Sequence, residues 1–396
     1  MRIGINCLAI DPDYAGGVTS YTFGLLDGFV SVNKGHRFII FVNNRNAYLF
    51  KKYESVANFS IVLITGYDSQ FKRRVLWQMV KAKAKTLYGA FSYFFYNALS
   101  RRMSKEADII YTPTTVSFPI YLNTLSMLSM HDIQQVHYPE FFTAMELKDR
   151  YITYNLSVEN ISFMQASSLH MKDDFLGYFK GLKESQVVVI PEGVDIPLFS
   201  EERDVAYLTQ KYQIPEDFLF FPAQLWHHKN HITVLKALLK LRKEHQVSIP
   251  LVLTGSSYSA SQFLFDFIEE NKLDNVYYLG KVPFIDVVNL YQKASFLITA
   301  VLYESSSIPV LEAAASGTPV IASATRPNKE LAENLKINLF EPLNEGELAQ
   351  LLLQIWDDSA LQQEQVSYNK ANIHKYSWQS AATKYLDFFE KVVKTK

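Results

Sequence analysis

Short apolar runs rich in β-branched and aromatic residues alternate along this chain with longer segments whose apolar residues recur at helical spacing. No other feature restricts the fold as much. Parallel strands cannot be joined by a tight turn and need a crossover, usually a helix, so alternating strand and helix signals predict parallel sheets covered on both faces. The expected strands fall in two sets. The first holds Arg2 to Asn6, Arg37 to Val42, Ser60 to Ile64, Ile109 to Thr112, Leu125 to Met130, Phe163 to Ala166 and Val187 to Ile190. The second holds Phe218 to Pro222, Pro250 to Gly255, Val276 to Leu279, Phe296 to Thr299, Pro319 to Ala322 and Asn338 to Phe340. Two sets imply two sheets, and 396 residues exceed what one hydrophobic core usually organises.

Between the sets, Pro191-Glu192-Gly193-Val194-Asp195-Ile196-Pro197 breaks the periodicity with proline and glycine. The chain is therefore read as two doubly wound α/β domains, residues 1–198 and 199–376, with the hinge near Leu198 to Arg203. Residues 377–396 add a helix with Ala381, Tyr385, Phe388, Phe389 and Val392 on one face. No Gly-x-Gly-x-x-Gly fingerprint is present, which argues against a dehydrogenase.

Apolar residues make up 48% of the chain and the net charge is −1, the balance of a globular protein that neither stays disordered nor coats nucleic acid. Cys7 is the single cysteine, so an intrachain disulfide or a cysteine metal cluster is excluded and a reducing cytoplasm is expected. Met1 to Ala9 reads as a first strand, not as an export signal. The uncharged stretch Thr86 to Ser100 contains Tyr, Ser and Asn and falls short of the roughly 20 apolar residues that cross a bilayer.

Four stretches carry candidate chemistry, each placed where an expected strand gives way to a loop or helix. Glu304 and Glu312 bracket the start of the helix after Phe296 to Thr299, in Tyr303-Glu304-Ser305-Ser306-Ser307-Ile308-Pro309-Val310-Leu311-Glu312. A helix start offers free N–H groups and a positive dipole end to a phosphate, although glutamates there also favour the dipole with no ligand at all. Lys229 lies in Pro222-Ala223-Gln224-Leu225-Trp226-His227-His228-Lys229-Asn230-His231, early in a helix where a cation is not dipole-favoured and invites an anionic partner. His131 and Asp132 follow Leu125 to Met130, and Gly16-Gly17 lies between the first strand and first helix, where it lets a ligand approach the backbone.

These four stretches, in this order across nearly the whole chain, resemble the retaining GT-B glycosyltransferases of family 4, also called group 1. The resemblance implies two Rossmann-like domains facing across a cleft, with helix 377–396 packing back on the first. It implies that Glu304 approaches the donor sugar, that Glu312 holds the ribose hydroxyls, and that His131 lies against the sugar. Gly16 and Gly17 would face the diphosphate and acceptor, while Gln224, Ser305, Ser306, Ser307 and Ile308 line the donor site. Relatives commonly place arginine where Gln224 stands, so Lys229 must do more or another base must help, with His227, His228 and His231 as candidates. Their glycine-rich turn after the first glutamate is replaced here by Ser305 to Ser307, and their usual asparagine by Glu192. No metal is expected. The implied reaction is front-side transfer of a hexose, favoured as mannose from GDP-mannose, to a glycan or lipid-linked glycan, with Lys229 stabilising the departing diphosphate. A nucleotide-sugar epimerase or a non-catalytic nucleotide-binding protein of the same architecture stands beside that reading.

From Phe71 to Lys105 there is no acidic residue, while nine lysines and arginines interleave with Trp77, Leu87, Tyr88, Phe91 and Tyr93 to Tyr96. Such a stretch reads as an amphipathic surface for anionic lipid, giving a cytoplasmic protein docked peripherally on the inner face of the membrane. Confinement of the basic excess to one patch argues against nucleic acid.

Overall fold

The computed structural model describes residues 1–13, 16–32, 34–65 and 97–395. Tyr14 and Ala15 of the first loop, and the basic aromatic stretch up to Tyr96, lie outside the described residues; its end is helical over 97–106.

Thirteen strands are present among the described residues, all in parallel pairs. The first sheet holds β1 (Arg2–Asn6), β2 (Arg37–Val42), β3 (Phe59–Leu63), β4 (Ile109–Thr112), β5 (Leu125–Ser129), β6 (Phe163–Ala166) and β7 (Val187–Val189). The second holds β8 (Leu219–Pro222), β9 (Leu251–Thr254), β10 (Val276–Tyr278), β11 (Phe296–Thr299), β12 (Val320–Ser323) and β13 (Asn338–Phe340). The orders are β3-β2-β1-β4-β5-β6-β7 and β10-β9-β8-β11-β12-β13. Both are doubly wound, and the strand order reverses between β1 and β4 in one sheet and between β8 and β11 in the other. Loops leaving the carboxyl ends of those strand pairs form the crevice where such sheets take ligands.

The chain divides into two compact units, Met1–Gly193 with Trp378–Lys396, and Val194–Ser377. The hinge expected at Leu198 to Arg203 comes earlier, because Val194 donates its N–H to the Tyr376 carbonyl at 2.8 Å and pairs with Ser377 in a parallel bridge. Those bonds commit the helix Ile196–Ser200 to the second unit.

The helix Trp378–Lys394 completes the first unit. Its Ala381, Ala382, Tyr385, Leu386 and Phe389 are buried in one core with Tyr21, Leu25, Leu26 and Phe29 of the helix Gly17–Val32. The two helices meet closely because glycine removes side chains where Trp378 must fit. A Cβ on Gly24 would stand 2.2 Å from the indole, one on Gly28 2.5 Å from the Trp378 carbonyl oxygen, and one on Gly193 2.6 Å from the ring. Beneath the indole, the hydroxyls of Tyr21, Tyr111, Ser129 and Tyr385 form a buried ring, with Tyr21 to Tyr385 at 2.6 Å and Tyr111 to Ser129 at 2.6 Å. Four hydroxyls bring four donors and serve as one another's acceptors, so the apolar core closes over them without an orphaned group.

Candidate functional site

In the second unit the loop after β8 is built by close backbone packing. Gly255, at the end of β9, has φ +126°, and a Cβ there would come within 2.6 Å of the Ala223 carbonyl oxygen. Only glycine suits both conditions. Leu225 then donates its N–H to Ser256, and Trp226 stacks on Tyr258 with centroids 4.0 Å apart. The Trp226 indole N–H donates to the Gln224 side-chain oxygen at 2.8 Å, which fixes the amide.

The turn His227–Lys229 ends at Asn230, which takes the left-handed conformation at φ 57°. Its side-chain NH2 donates to the Ala300 carbonyl at 2.9 Å and the Pro342 carbonyl at 2.7 Å, tying the turn to the ends of β11 and β13. A second tie matters more. The Leu302 N–H donates to the His228 carbonyl at 2.8 Å, so the loop carrying Glu304 is hydrogen bonded to the residue beside Lys229. Lys229 itself is half-buried, and among the described residues its ammonium has no carboxylate partner.

Two of the three histidines that could assist in place of the missing cation, His228 and His231, are held neutral. Burial, then the Lys229 charge, pushes the His228 imidazole down to about 3, and the same two causes bring His231 to about 3. His231 is buried and stacked on Phe221 with centroids 4.2 Å apart, so it serves as core. His227 is exposed. Among the described residues no three His, Cys, Asp or Glu side chains could hold a metal ion.

After β11, Glu304 is buried and accepts a hydrogen bond from the Ser307 hydroxyl at 2.6 Å. Ser307 precedes the helix Ile308–Ser316, yet its hydroxyl makes no cap there, because it is spent on orienting the carboxylate. Ser307 and Ile308 can therefore serve an anion through their backbone N–H groups, which lie at or before the first turn and have no carbonyl partner within the helix. Pro309 contributes no N–H, and Ser305 and Ser306 are partly exposed.

Glu312 lies one turn into that helix and accepts from the Tyr291 hydroxyl at 2.7 Å. Burial raises its pKa to about 7, although the Tyr291 bond works the other way. Because the folded value lies above the ordinary carboxyl value of 4.5, the folded state holds this proton more tightly than the unfolded chain, and stability is lost as pH rises from 4.5 towards about 7. A carboxylate kept at such a cost is suited to accepting two hydroxyl donors, since the ionised form only accepts.

In the first unit, Gly17 opens its helix with nothing among the described residues within 4 Å of a would-be Cβ, and Gly16 accepts from the N–H groups of Thr19 and Ser20. His131 follows β5. Its Nε2 lies 2.8 Å from the Pro113 carbonyl oxygen just after β4, its Nδ1 lies 3.5 Å from Glu192, and Tyr21 meets it in a T-shaped contact at 4.8 Å. Burial works against the charged ring, but Glu192, the Pro113 carbonyl and Asp132 outweigh it and hold the pKa above the ordinary histidine value. Asp132 pairs with Arg150 at 3.1 Å and accepts from the Gln134 N–H, which orders the loop. Tyr291, Gly255 and Asn230 were not singled out from sequence. The run Thr254-Gly255-Ser256 directly after a strand was the available signal for one of them.

The family model described as glycosyl transferases group 1 matches residues 208–372, inside the second unit. O-antigen chain mannosyltransferase B of Escherichia coli is 24% identical over 183 residues, covering 46% of this chain and 48% of that protein. O-antigen chain mannosyltransferase RfbU of Salmonella typhimurium is 25% identical over 197 residues, covering 50% of this chain and 51% of that protein. The chain thus matches about half the length of these two relatives. The crystal structure of Anabaena HepE in complex with UDP and glucose superposes with a TM-score of 0.73 at 17% identity, covering 99% of this chain and 100% of that one. Residues 208–372 therefore match the group 1 glycosyl transferase model, and the chain has the GT-B fold.

Proposed function

We propose that this chain transfers a hexose, with retention of anomeric configuration, from a nucleotide diphosphate sugar to a glycan or lipid-linked glycan. The observation that carries the reading is the bond between Leu302 and His228, which joins the loops of Lys229 and Glu304 at the ligand-binding end of the second sheet. In this reading Lys229 and the N–H groups of Ser307 and Ile308 grip the diphosphate, Glu312 accepts from the ribose hydroxyls, and Glu304 orders the sugar. Gln224, Ser305 and Ser306 border the nucleotide, His131 meets the sugar, and Gly16 with Gly17 admits the diphosphate and acceptor. GDP-mannose is the favoured donor, supported by the two relatives named as mannosyltransferases. No metal is assigned a part.

A thermal-shift panel of GDP, UDP, ADP and their sugars tests the donor, because a ligand at 100 times its Kd stabilises the native state by about 2.7 kcal/mol. The GDP shift is expected to be largest, to grow as pH rises through about 7 while Glu312 ionises, and to shrink in Glu312→Gln. A shift independent of pH and unchanged in Glu312→Gln would remove Glu312 from the ribose site. Free epimerised sugar nucleotide without acceptor would instead favour an epimerase, and binding with no turnover a non-catalytic protein.

Peripheral docking through Phe71 to Lys105 belongs to the same reading and rests on sequence. Among the described residues no helix is long and apolar enough to cross a membrane. Cosedimentation with vesicles rich in anionic lipid should weaken with salt and with removal of that lipid. Indifference to both would discard it.

A further inference from the structure

Both ring nitrogens of His131 are engaged by groups that only accept. A carbonyl oxygen cannot donate, so the 2.8 Å approach of Pro113 requires a proton on Nε2. The neutral ring would then turn the bare lone pair of Nδ1 towards the Glu192 carboxylate at 3.5 Å, setting two acceptors against each other. A second proton on Nδ1 converts that repulsion into an ion pair. Both side chains are largely shielded, at 13% and 10% exposure, so solvent does little to screen the choice.

The remaining neighbours agree. Asp132 is drawn off by Arg150, and Tyr21 presents its ring, with its hydroxyl held in the buried ring beneath. We propose that Glu192 is a positioning residue that holds His131 as a permanent imidazolium, so that His131 acts on the donor as a fixed cation and never as a proton acceptor. The role in transfer rests on the function proposed above, whereas the pairing does not. It gives the first unit a positive group at the mouth of its sheet, in a chain whose Gln224 brings none to the second.

Long-range proton–nitrogen spectra of the labelled protein test the pairing without substrate, with the His131 signals assigned by their loss in His131→Asn. At pH 7.5 the wild-type ring should carry two protons. In Glu192→Gln the ring should instead titrate between pH 6 and 8, its charged-to-neutral ratio falling about tenfold for each pKa unit lost, and Glu192→Asp should restore part of it. A neutral wild-type ring, or a titration unmoved in Glu192→Gln, overturns the proposal. With GDP-mannose and UDP-glucose as parallel probes, wild-type transfer should be level from pH 6 to 8, while Glu192→Gln loses about tenfold across that range. A level profile in the variant despite a shifted ring overturns the role in transfer. Absence of transfer from either probe counts against the proposed function, and the spectra still decide the pair.

Discussion

Replacing Lys229 with alanine is expected to lower kcat by about 10²- to 10³-fold while leaving the melting temperature almost unchanged. The size follows from the value of one preorganised donor aimed at charge that develops on a leaving group. The small effect on stability follows from the fold, because the Lys229 ammonium pairs with no carboxylate among the described residues and its loop is fixed by Asn230 and Leu302. His228 and His231 cannot step in, since burial and the Lys229 charge hold both neutral across the working range. Steady-state kinetics beside a calorimetric melt would separate the two effects. A variant with normal turnover would take Lys229 out of the mechanism, and one that melts far earlier would make it a structural residue.

The second large effect concerns Trp378. Trp378→Ala should destabilise the first unit by about 3 kcal/mol, the lower end for losing a large aromatic, because the indole is only partly buried. Gly24→Ala should cost a comparable amount, since its methyl group would have to occupy space 2.2 Å from the ring. The two losses should not add. With the indole gone, the methyl fills the space it vacated, so the double variant is expected close to Trp378→Ala alone. Chemical denaturation of the four proteins closes the cycle, and simple additivity would show that the glycine has another purpose.

Much of this was legible before any coordinates. Each expected strand is present, and the boundaries differ by a residue or so because burial outlasts pairing. Ile64 and Ile190, read as strand ends, are buried and each makes one backbone bond to the neighbouring strand, to Val42 and Ala166, beyond the last regular pair. The motif residues were legible for a related reason: Lys229 and Glu304 follow β8 and β11, and strand-to-loop junctions can be read locally. Features built across long sequence separations could not be. Nothing local joins Gly24 to Trp378, or Tyr291 to Glu312. The charge of a histidine depends on burial and on what faces each nitrogen, so His131 and His228 look alike as letters yet are shifted in opposite directions from the ordinary histidine value.

The core shared by Gly17–Val32 and Trp378–Lys394 also sets an order of events during synthesis. Residues 194–377 are continuous and can fold as soon as they leave the ribosome. The unit begun first must wait with Leu25, Phe29 and Tyr111 uncovered until Tyr385 and Phe389 have been translated. A chain ending at Ser377 and released from the ribosome would therefore carry a finished second unit and an unfinished first, the form most exposed to chaperones and proteases.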